Sequence, residues 1–92
     1  MTTADELKPA ATPFELGIEL AHASHKLMSL ATEHVIAGRH AVAHAIISDS
    51  ITLDKLGARL DAGTLSVELA QLFVEAASTL VERRDAELEA TS

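Results

Sequence analysis

The chain has 92 residues and a formal net charge of −7, with no cysteine, tryptophan or tyrosine and only two phenylalanines. That length gives one domain with a modest core. Disulfides and thiol chemistry are excluded, and so few aromatic rings leave little scope for base stacking or cation–π recognition.

Residues 64–92 carry −4 of the net charge. This argues against nucleic acid and anionic lipid as partners and favours a protein with a basic surface. Residues 1–11 are polar, with Pro9 near their end, and are expected to form a flexible N-terminal tail. A single helical domain is expected over 12–88, followed by a frayed C-terminus at 89–92. Asp5 and Glu6 do not fit the basic-then-apolar order of a secretory signal. No apolar run approaches the ~20 residues of a membrane span, so a cytoplasmic protein is expected.

The first long helix is predicted from Thr12 to Gly38. Thr12-Pro13-Phe14-Glu15 reads as a capping box with proline at the first helical position, and Gly38 as a left-handed terminator. Glu15, Glu19, His22, Lys26, Ser29 and Glu33 recur at spacings of three and four and form one polar stripe. Leu16, Leu20, Ala23, Leu27 and Leu30 form one apolar row. Phe14, Ile18, Ala21, Met28 and Val35 form another, roughly opposite. A surface helix needs an apolar arc of only about 100°, so this one wants partners on at least two sides.

Residues 39–47 predict a short helix, with Ser48-Asp49-Ser50 as a turn of capping residues after it. Residues 51–62 predict another short helix, capped by Thr52 and stopped by Gly63. The second long helix runs from Thr64 to about Leu88, with Thr64 or Ser66 as cap. Its polar stripe is Glu68, Gln71, Glu75, Ser78 and Glu82. Leu65, Leu69, Leu72, Ala76 and Leu80 make one apolar row, and Val67, Ala70, Val74, Ala77 and Val81 the other.

The expected fold is therefore all-α: a small helical bundle of two long amphipathic helices with shorter helices between, completed by self-association. The simplest assembly is a two-fold dimer, with Leu16, Leu20, Leu27, Leu65, Leu69 and Leu72 as candidate interface residues. If the middle helices instead fold over both sides of the long helices, no dimer is required.

No catalytic, cofactor or metal site is expected. His40 and His44 have a zinc-compatible spacing, and Glu19 and His22 the Glu-x-x-His spacing of di-iron bundles. The latter pair falls on the polar stripe, and the further carboxylates such a site needs are missing. His25 and His34 flank the apolar arc and read as hydrogen-bonded interface residues.

Residues 21–26 (AHASHK) faintly resemble the phosphorylated helix of histidine phosphotransfer domains. Lys26 follows His22 by four residues rather than three, and the glycine that follows in that family is absent. Residues 52–70 resemble a helix-turn-helix, but residues 65–81 contain Glu68 and Glu75 and no lysine or arginine to meet phosphate.

The functional expectation is a non-enzymatic protein-interaction module of adaptor, inhibitor or chaperone type, acting as a helical homo-oligomer. Glu68, Glu75 and Glu82 are its candidate contacts to a basic partner. The alternative is a small-ligand or metal-binding protein with a site at the oligomer interface lined by His25, His34, His40 or His44. A helix-turn-helix regulator ranks below both.

Overall fold

A computed structural model describes residues 12–90. The expected tail at 1–11 lies outside these residues. Among them the chain forms three helices and no strand: α1 is Pro13–Ile36, α2 is His40–Asp61 and α3 is Val67–Glu89.

The ends follow from local chemistry. At the start of α1, the Glu15 N–H donates to Thr12 Oγ1 at 3.1 Å, and the Thr12 N–H donates to Glu15 Oε1 at 2.9 Å. The Thr12 backbone N–H, and then its hydroxyl, hold the Glu15 carboxyl below its ordinary value. Gly38, at φ +83°, ends α1. The Gly38 N–H bonds to the Val35 carbonyl and the Arg39 N–H to the His34 carbonyl, the paired bonds of a Schellman motif. Gly63, at φ +79°, ends α2 in the same way through the carbonyls of Leu60 and Arg59. Ser66 caps α3 by accepting from the Leu69 N–H at 3.2 Å.

The middle of the chain departs from the sequence expectation. Instead of two short helices with a turn between them, α2 is one helix of 22 residues that runs through Ser48, Asp49 and Ser50. Thr52, expected as a cap, sits inside it and donates back to the Ser48 carbonyl at 3.0 Å. Serine and aspartate in a helix interior cost roughly 0.5 kcal/mol each. Ile46 and Leu53, on either side, are buried, and full burial of such a side chain is worth about 1.5–3 kcal/mol. Packing outweighs local preference here.

Helices α1 and α2 form an antiparallel pair. Their buried residues are Leu16, Leu20, Ser24, Leu27, Ala31 and His34 on α1, and Ala43, Ile46, Ser50, Leu53, Leu56 and Leu60 on α2. The spacings of three and four make each seam a narrow stripe rather than a broad arc. At the middle, Ser24 Oγ and Ser50 Oγ lie 2.7 Å apart, and each hydroxyl also reaches the other residue's carbonyl, at 3.2 and 3.1 Å. This pair satisfies two buried hydroxyls.

Helix α3 runs parallel to α1 and packs chiefly on it, with little contact to α2. Only Ala70 and Ala77 of α3 are fully buried, while Val67, Val74, Leu80 and Val81 are half-buried against the core. Near its C-terminal end, α3 is tied by polar contacts. Arg39 Nη1 donates to the Glu87 carbonyl at 3.2 Å. Arg84 bonds Glu87 at 3.0 Å and lies 3.9 Å from Asp49. No described helix is long and apolar enough to cross a membrane.

Candidate interaction surfaces

On α1, the two apolar rows that look alike in sequence meet different fates. Leu16, Leu20 and Leu27 are buried, whereas Phe14, Ile18, Ala21, Met28 and Val35 are all exposed, Phe14 to 76 %. The neighbouring helices cover one side of α1 and leave the other open. The first part of this exposed row, Phe14, Ile18 and Ala21, borders a groove of about 500 Å³ between the first half of α1 and the second half of α2. Gly17, Ala21, Gly57 and Ala58 keep it shallow-sided and open, Phe14 and Ile18 line it, and Asp54 and Asp61 bring charge to it.

On α3 the inward row is Val67, Ala70, Val74, Ala77 and Val81. The larger residues Leu69, Leu72 and Phe73 are exposed, Leu72 to 60 %. Of the six residues expected at an oligomer interface, Leu16, Leu20, Leu27 and Leu65 therefore lie in the chain's own core. Only Leu69 and Leu72 remain available to a second molecule. Either row of an evenly amphipathic helix can face inward, and cross-helix packing makes the choice.

Glu68, Glu75 and Glu82 are all exposed along α3. Glu82 also lines a smaller groove of about 250 Å³ between α1 and α3, with Glu19, His22, Lys26 and Ser78. The acidic row is thus not a uniform strip, because Lys26 borders its C-terminal part.

The histidines do not gather. His22, His25, His40 and His44 are exposed, and His34 is fully buried. A carbonyl only accepts, so His34 Nε2 carries the proton it donates to the Arg84 carbonyl at 3.2 Å. Its Nδ1 has no hydrogen-bond partner. His34 was expected at an intermolecular interface; it instead joins α1 to α3 within the chain, whereas His25 stays on the surface. Among the described residues, no three His, Cys, Asp or Glu side chains are grouped so as to hold a metal ion. The helix-turn-helix likeness also does not carry through to packing: α2 and α3 each pack mainly on α1 rather than on one another.

The sequence does not announce the α1/α2 groove, where Gly17 and Gly57 meet with Asp54 and Asp61 beside them. The available signal was a glycine inside a helix with no turn to make. Comparison of the chain with known protein families, with curated proteins and with solved structures found no match.

Proposed function

We propose that this chain is a non-enzymatic protein-interaction module that works as a helical homo-oligomer, most simply a two-fold dimer, and binds another protein. The supporting observation is the uncovered apolar surface. Nine large apolar side chains among the described residues are exposed, and they concentrate on α1 and α3 rather than scattering singly. Isolated exposed apolar residues are ordinary, whereas continuous ones mark association surfaces. In such an assembly Glu68, Glu75 and Glu82 remain outward and offer an acidic contact to a basic partner.

The test is solution mass by light scattering over a wide concentration range. A dimer or larger assembly that dissociates only on strong dilution is the expected result. A monomer throughout removes the basis of the proposal.

A further inference from the structure

We propose that the α1/α2 groove receives the outer ridge of α3 from a second copy of this chain, exchanged reciprocally about a two-fold axis. This rests on the homo-oligomer reading and gives it a specific geometry.

The floor of the groove supplies the first argument. Gly17 and Gly57 sit inside helices, and neither has the positive φ that would require glycine. A Cβ built on either meets nothing within 4 Å. Nothing in the described fold asks for glycine at these positions, although glycine weakens a helix relative to alanine. Close approach of another backbone supplies a reason.

The occupant is identified by shape and charge. Leu69, Leu72, Phe73 and Ala76 recur at helical spacing along the outer side of α3, forming a ridge one helix wide. Arg83 lies seven residues beyond Ala76 on that same side. It is exposed and, among the described residues, makes no ion pair. Asp54 and Asp61, exposed at the groove, make none either. Arg83 of the partner subunit is thus matched to an acidic groove edge, while Glu68, Glu75 and Glu82 fall on a different side of α3 and stay out of it. Each copy has one α1/α2 groove and one α3 ridge, so a two-fold exchange fills both and closes the assembly.

Because the chain has no cysteine, introduced thiols report the pairing directly. Ala58→Cys marks the groove and Ala76→Cys the ridge. On mixing the two variants under mild oxidation, we expect 58–76 cross-linked dimers and little 58–58 product. Dominant 58–58 links would show groove packed on groove and overturn this geometry while leaving self-association intact. A dimeric mass without 58–76 links would overturn it in the same way. A monomeric unmodified chain would overturn both readings and leave the groove to an unrelated partner. As a second measurement, Gly57→Leu has room to fold and should keep the helical signal while raising the dimer dissociation constant at least tenfold. An unchanged constant would overturn the proposal.

Discussion

The seam between α1 and α2 and the seam between α1 and α3 are built on different terms. The first is sealed by leucines and Ile46 around a buried serine pair. The second relies on Ala70, Ala77 and half-buried valines, with polar ties near its C-terminal end. Helix α3 has turned small residues inward and kept Leu69, Leu72 and Phe73 outside. Buried apolar area is the main favourable term in packing. The helix with least of it inside the chain therefore has the most to gain from a second molecule.

The sharpest way to break this contrast is to delete the same atoms on either side of it. Leu27, with 0 % exposure, sits in the first seam, and Leu72 lies on the outer row of α3. Leu27→Ala should destabilise the fold by about 2–5 kcal/mol, the range for a buried leucine. Leu72→Ala should change it by less than about 0.5 kcal/mol in dilute solution, as surface substitutions do. Denaturant melts at low protein concentration give both numbers. Equal losses would mean that α3's outer row is already covered within the chain, and the two seams would not differ as described.

A smaller effect tests what the serine pair adds to the first seam. Ser24→Ala or Ser50→Ala should each cost about 1 kcal/mol, because each leaves the remaining buried hydroxyl with fewer partners. The double replacement should cost less than the sum, with a coupling of at least about 0.5 kcal/mol expected for groups in contact. A strictly additive double-mutant cycle would mean that each hydroxyl acts only through the opposite backbone carbonyl.

The same serines show where sequence reading stops. The helix ends were legible because capping is local: Thr12, Pro13, Glu15 and Gly38 bound α1 as their chemistry dictates. Ser48-Asp49-Ser50 reads as a turn by composition, yet lies inside α2 because what holds it there is not local. Ser50 finds its partner in Ser24, 26 residues upstream. The excess of apolar helix surface was also legible, but not which row would be core. That choice reversed the assignment of Leu16, Leu20 and Leu27 from interface to interior. The burial of His34 against the Arg84 carbonyl depends on how α3 lies along α1, which periodicity does not encode. Gly57 was visible in the sequence, but its place in a groove required α1 to be set beside it.

The smallest effect concerns the capping box at the start of α1, whose residues Thr12, Pro13, Phe14 and Glu15 are all exposed just ahead of the buried Leu16. Its own hydrogen bonds are local ones between Thr12 and Glu15 rather than contacts with another helix. Hydrogen bonds from Thr12 lower the Glu15 carboxyl below its ordinary value of 4.5. A lowered carboxyl stabilises the folded turn above that value, and the contribution is lost as pH falls through the lower, folded value. Between pH 6 and pH 3 the Thr12 amide signal should therefore follow the Glu15 titration, with its midpoint below 4.5. In Glu15→Gln that step should vanish while the Ser24–Ser50 seam stays intact. A Thr12 amide indifferent to pH in the unmodified chain would mean that the box does not persist in solution. If the Ser24 and Ser50 signals moved together with Thr12, the start of α1 would be coupled to the first seam, and the contrast between the regions would have to be drawn across the whole α1–α2 pair.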